Sequence, residues 1–205
     1  MSRHHPSETT LLAYAAGSLP AAHAQVLAVH LATCPICAAD VGALERAAGS
    51  LLRDLPPASL GEGSLARMLA RLDEPAPPVP VRRPAATSLE ALATGRWRWS
   101  GPGIALMPLM RRDATNTRLD LIRVAPDTAL LEHGHTGFET TVVLQGAFDD
   151  GLQRYETGDF GEADGRTDHC PRALPGPDCI CLIATSAHLR PRSLLGRMVR
   201  PLLGM

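Results

Sequence analysis

The chain has 205 residues, 45% hydrophobic and 20% charged, with a formal net charge of −1 at pH 7. That balance, with arginine supplying all 20 basic residues, offers no broad positive field to nucleic acid or to an acidic membrane surface. No run approaches the ~20 apolar residues of a membrane span, and the opening "MSRHHPSETT" has no apolar stretch of signal-peptide type. A cytoplasmic protein is therefore expected, in which five cysteines serve as metal ligands, redox groups or small core residues rather than as a disulfide framework.

The first third reads as helices. Ser7 can N-cap "ETTLLAYAA", which Gly17 ends. Pro20 opens "PAAHAQVLAVHLAT", whose Val26, Leu27, Val29 and Leu31 recur at helical spacing. Pro35 suits the first turn of a third helix, "ICAADVGALERAAGSLL", with Cys34 as its N-cap. A fourth, "GSLARMLARL", sets Leu65, Met68, Leu69 and Leu72 on one face. Helices this short bury little by themselves, so a cross-link or a partner is expected.

Residues 74–87 carry five prolines in 14 positions and read as an extended, stiff linker. Beyond it, "RWRWSG", "GIALMPLM", "TRLDLIRVA", "ALLEH", "ETTVVLQGAF", "RYETGDF" and "CICLIAT" read as strands broken by glycine and aspartate turns. That spacing favours a barrel or sandwich. Trp97 and Trp99 alternate on one strand face and suit a core or an interface. The apolar, arginine-containing tail suits a short packing helix. The expected layout is a multi-domain α + β chain: a helical domain (1–73), a linker (74–87), a β-barrel (88–195) and a tail (196–205).

Two groups of residues carry metal chemistry. His30, Cys34 and Cys37 stand at i, i+4 and i+7, and thiolate with imidazole is the donor set of structural zinc. The N-terminus of the helix after Cys34 lowers thiol pKa and favours thiolates there. His23 lies seven residues before His30, too far along the same helix to share an ion, which leaves His5 or His4 as the fourth donor. The stretch "HHPSETTLLAYAAGSLPAAHAQVLAVHLATCPIC" resembles the zinc-binding anti-sigma domain, with its early histidine followed by His-x-x-x-Cys-x-x-Cys. That resemblance implies His5, His30, Cys34 and Cys37 as zinc ligands. It also implies that three helices and a detached fourth clamp an extracytoplasmic-function-type sigma factor, with Leu65, Met68 and Leu69 among the contacts.

The second group lies in "EHGHTGFETTVVLQG". His133 and His135 would share one strand face, Glu139 follows a short turn, and Gly146 trails. This pattern resembles the first metal motif of cupins and implies a double-sheet β-barrel. The second cupin motif is looser: Gly158, Asp159, Gly165 and His169 are present in "GDFGEADGRTDHCP". Ala163 replaces the usual proline there, the histidine falls one position late, and Asp127 stands where a glycine usually precedes the first motif. Three histidines and a carboxylate suit zinc, iron, manganese or nickel. Cys179 and Cys181 share a strand face, either as packed hydrophobes or as a thiol pair able to oxidise near the metal. Cys170 would face the other way and pack.

A zinc anti-sigma domain linked to a cupin is the arrangement of ChrR-type anti-sigma factors, and "PDCICL" is also similar to that family. The resemblance spans nearly the whole chain. It implies a regulator that holds a sigma factor and releases it under singlet oxygen or organic hydroperoxide. Because the first half holds only Cys34 and Cys37, while three cysteines and the second metal motif lie in the barrel half, the helical zinc is expected to be structural and the barrel site to sense. The competing class is a metal-dependent cupin enzyme, a dioxygenase or isomerase with an appended helical domain. Direct DNA binding is disfavoured by the lack of a basic patch.

Overall fold

The computed structural model describes residues 2–72, 74, 86–186 and 189–191, and for residues 135 and 189–191 the backbone alone. Most of the proline-rich segment, the C-terminal tail and His188 lie outside the described residues.

Helix α1 (Glu8–Ala15) starts where the Ser7 hydroxyl accepts the Thr10 N–H at 3.3 Å, and the chain turns away at Gly17. Pro20 opens α2 (Ala21–Leu31). Cys34 precedes α3 (Pro35–Arg53) in an extended conformation, and its thiol makes no capping bond, so the sulfur stays available for other partners. α4 (Ser64–Leu72) buries none of its residues, whereas α2 buries Ala22, His23, Val26, Leu27, Val29 and His30. The short α5 (Leu89–Leu92), capped by Ser88, carries the chain into the sheet.

Twelve strands follow among the described residues. A six-stranded sheet runs in the order β1 (Arg98–Gly101), β2 (Ile104–Met110), β3 (Arg118–Val124), β11 (Cys179–Thr185), β5 (Glu139–Gln145) and β8 (Phe160–Ala163). Two three-stranded sheets face it. One joins β10 (Arg172–Ala173), β6 (Ala147–Asp149) and β7 (Arg154–Glu156). The other joins β12 (Leu189–Pro191), β4 (His133–His135) and β9 (Asp168–His169). "ETTVVLQGAF" is thus two strands. They break at Gly146, whose φ of +73° suits glycine, and an added Cβ would sit 2.9 Å from the Asp178 carbonyl oxygen. Asp127 takes φ +60°, a left-handed conformation that aspartate tolerates and that explains the usual glycine at this place.

Strand alternation gives the large sheet two working faces. On β11, Ile180, Leu182 and Ala184 join Val26, Leu27, Leu121, Val142 and Phe160 in one core that runs from the helices into the sheet. Cys179 and Cys181 point the other way, with Val143, Tyr155 and Ala173, into the barrel. The helical bundle therefore rests on the barrel: α2 is sandwiched between the other helices and the sheet, and buries two faces instead of one.

At this contact His23 is 1% exposed and its Nδ1 meets the Thr140 hydroxyl at 3.0 Å. Burial pushes the imidazole down to about 4, against the raising effect of the Asp113 carboxylate. A histidine neutral when folded and protonated when unfolded makes stability rise with pH between those two values. Stability is therefore expected to fall by about 2 kcal/mol on acidification from about pH 7 to about pH 5 through this residue alone. Urea unfolding at both pH values checks it: His23→Gln should lose less on acidification than the parent by that amount.

Candidate functional site

Four donors converge at the seam between α2, α3 and the barrel. His5, His30, Cys34 and Cys37 each place one ligand atom within 4.8 Å of the others. The i, i+4 spacing from His30 to Cys34 closes because the chain leaves α2 and re-enters α3 at once: the Cys34 N–H donates to the His30 carbonyl at 2.9 Å. Cys34 and Cys37 then flank the first turn of α3. His5 Nδ1 lies 3.3 Å from Cys37 Sγ and 3.4 Å from Cys34 Sγ. His4 turns away to the barrel, where its Nε2–H donates to the Arg154 carbonyl at 2.9 Å and its ring lies 4.5 Å from that of Tyr155.

The site fits a tetrahedral cation of the zinc type. The His30 Nδ1–H donates to the Gly158 carbonyl at 2.8 Å, which leaves Nε2, buried and without a hydrogen-bond partner among the described residues, as the ligand atom. Burial keeps this imidazole below its ordinary pKa, hence neutral and able to donate its lone pair. Burial, then the neighbouring Cys34 thiol, push the Cys37 thiol up to about 12, against the lowering expected from the helix N-terminus, so Cys37 turns to thiolate only with a cation to carry the charge.

The second group surrounds the barrel lumen. β4 and β9 pair His133 with His169, and the two Nε2 atoms are 3.0 Å apart. The His133 Nδ1–H donates to the Leu131 carbonyl at 2.7 Å and so presents Nε2 to the lumen. Burial lowers both imidazoles, His169 to about 4 with a further push from His133. Asp150 Oδ2 stands 4.0 Å from His169 Nδ1, a neighbouring carboxylate that only the folded chain reveals. Glu139 opens β5 on the lumen side, and burial pushes its carboxyl up to about 7 against the Thr141 hydroxyl. The His135 backbone pairs with Leu189 on β12, while its side chain lies outside the described residues.

His133, Glu139, Asp150 and His169 line a cavity of about 820 Å³, as do Cys179 and Cys181. The two sulfurs are buried 3.7 Å apart, and the thiol of Cys181 is raised by its neighbour and by burial. Cys170 is exposed rather than packed, and its thiol donates to the Leu130 carbonyl at 3.3 Å. Trp99 is 78% exposed at the cavity rim, and Trp97 stacks under the Arg123 guanidinium at 5.1 Å.

A third surface carries no polar chemistry. Leu65, Met68, Leu69 and Leu72 on α4 are 53–77% exposed. Leu51 and Leu52 at the end of α3 are also bare, as are Leu55 and Leu60 beyond it. Among the described residues no helix is long and apolar enough to cross a membrane.

Comparison with known proteins matches these parts one by one. The ChrR cupin-like domain family covers residues 87–188, and a zinc-finger family covers residues 9–38, which takes in His30, Cys34 and Cys37. The anti-sigma-E factor ChrR of Cereibacter sphaeroides is 42% identical over 208 residues, 97% of each chain. A crystal structure of Rhodobacter sphaeroides SigE in complex with the anti-sigma ChrR superposes with a TM-score of 0.76 at 41% identity, covering 90% of this chain and 99% of that one. Kinship of that extent is with a regulator, and the reading as a catalytic cupin gives way to it. The chain belongs to the ChrR family of anti-sigma factors, a helical zinc-finger region followed by a cupin-like barrel.

Proposed function

We propose that this chain holds an extracytoplasmic-function-type sigma factor inactive in the cytoplasm and releases it under oxidative stress, by singlet oxygen or an organic hydroperoxide. In this reading residues 1–73 bind the sigma factor and residues 88–195 sense. His5, His30, Cys34 and Cys37 hold a structural zinc ion. His133, His135, Glu139 and His169 hold a second ion, zinc or else iron, manganese or nickel, with Cys179 and Cys181 as oxidisable thiols beside it. The chain touches neither DNA nor membrane itself.

The carrying observation is the bare apolar face of α4. A helix with no buried residue and four exposed large hydrophobics has no reason to persist alone in water, and such a surface marks a protein interface. The ChrR relative solved with SigE supplies a partner of the right class.

Reconstitution with the cognate sigma factor tests both halves. The combined Leu65→Ser, Met68→Ser and Leu69→Ser variant should keep its fold and lose affinity by about 100-fold or more, as truncation of hot-spot anchors does. Glu139→Ala should bind normally and fail to release under oxidant. Undiminished binding by the first variant would refute the docking face, and ordinary release by the second would refute the sensor.

A further inference from the structure

We infer that the barrel is an outer-shell partner of the helical metal site: the turn between β7 and β8 holds the His30 imidazole from behind and, with β8, pins the chain on either side of His5. The inference rests on the reading that His5, His30, Cys34 and Cys37 hold a metal ion.

The two sulfurs sit at the start of α3 and His30 is carried by α2, but the orientation of the His30 ring and the path of the chain through His5 are set by groups from the barrel. His30 has its Nδ1–H on the Gly158 carbonyl, and the same carbonyl accepts the Ser2 hydroxyl at 3.0 Å. That carbonyl is aimed by a left-handed glycine: Gly158 has φ +94°, and a Cβ there would stand 3.2 Å from Ser2 Oγ. Next in the turn, Asp159 is 2% exposed and spends its carboxylate on three backbone N–H groups. Oδ1 accepts from Arg3 at 2.6 Å and His4 at 3.2 Å, while Oδ2 accepts from Glu156 at 2.9 Å within the turn itself. The Phe160 N–H then donates to the His4 carbonyl at 3.1 Å, and the Phe160 ring meets the His30 ring edge-on at 5.5 Å.

One step further along, Glu162 accepts both the N–H and the hydroxyl of Ser7. The residues on either side of His5 are thus pinned to β8 and the turn before it.

An acceptor behind a ligating imidazole fixes which nitrogen carries the proton, aligns the ring and makes the other nitrogen a better base. Loss of such a partner costs about 10–100-fold in metal affinity. Here the acceptor belongs to the barrel. Any movement that draws the turn away from α2 leaves the His30 Nδ1–H without its carbonyl and lets His5 swing, so the state of the barrel is registered as metal affinity in the helical half.

Cobalt(II) bound to the full chain with Cys170, Cys179 and Cys181 replaced by alanine (the parent for this test) tests this, because thiolate-to-cobalt charge transfer then reports the helical two-cysteine site alone. Chelator competition followed in that band gives the affinity. Asp159→Ala removes the clasp from the barrel side. Arg3→Pro removes one donor from the other side and leaves the barrel untouched. Both should keep the band and lose about 10–100-fold in affinity, while Asp164→Ala, an exposed turn carboxylate bonded to Arg166, should match the parent. Parent-like affinity in both clasp variants overturns the inference. A parent without the band, or a Cys34→Ala/Cys37→Ala chain that retains it, would overturn the four-donor reading instead.

Discussion

Cys37→Ala in the full chain is expected to lose the ion of the helical site and, with it, sigma-factor binding, while the barrel keeps its fold. A structural zinc site contributes on the order of 10 kcal/mol of apparent binding free energy at neutral pH. In this chain the contribution is spent unevenly. α2 is held without it by Val26 and Leu27, both fully buried against the sheet. α1 and the first turn of α3 have less: α1 buries only Thr10 and Leu11, and α3 only Cys37 and Val41. Hydrogen exchange should therefore rise sharply in α1 and α3 and stay near the parent level in α2. Metal analysis and co-purification with the sigma factor complete the measurement. Uniform loosening of all three helices would mean that α2 depends on the ion as much as its neighbours do.

Phe160→Ala is expected to cost about 3–5 kcal/mol of stability, the range for deleting a buried aromatic ring. That is a large share of the roughly 5–15 kcal/mol that holds a domain together. The ring is 2% exposed, belongs to the core shared by helices and sheet, and lies against His30. The cavity left behind opens on the metal seam, so the same substitution should also speed metal loss, which Phe160→Leu should largely restore. Chemical denaturation with and without chelator separates the two effects.

The local features were readable from the chain. Ser7, Pro20, Gly17 and Pro35 punctuate the helices by their own backbone chemistry, and these signals need no tertiary context. His30, Cys34 and Cys37 lie within one short stretch, so their convergence needs only a helix end and a helix start. The long-range partners were not readable. His5 could be told from His4 only once His4 was seen on Arg154 and Tyr155 of β7. Gly158 and Asp159 stood out as pieces of a loose barrel motif, and nothing in their spacing connects them to residues 2–7. The strands Asp168–His169 and Arg172–Ala173 carry no sequence signal because two residues are too few to show an alternation, and β8 begins at the last residue of "RYETGDF" and runs on past it. Cys170 departs from its expected packing because parity along the chain says which side a residue faces, but not whether anything covers that side.

Glu139 and Thr140 are neighbours in sequence and strangers in space. One looks into the lumen with the histidines, and the other meets His23 on α2 from the opposite face of the sheet. A message from the lumen to the helices therefore needs no chain of relays across the protein. If the proposed sensing role of Glu139 holds, the lumen and the helix contact are two faces of one strand, and only one peptide bond lies between them.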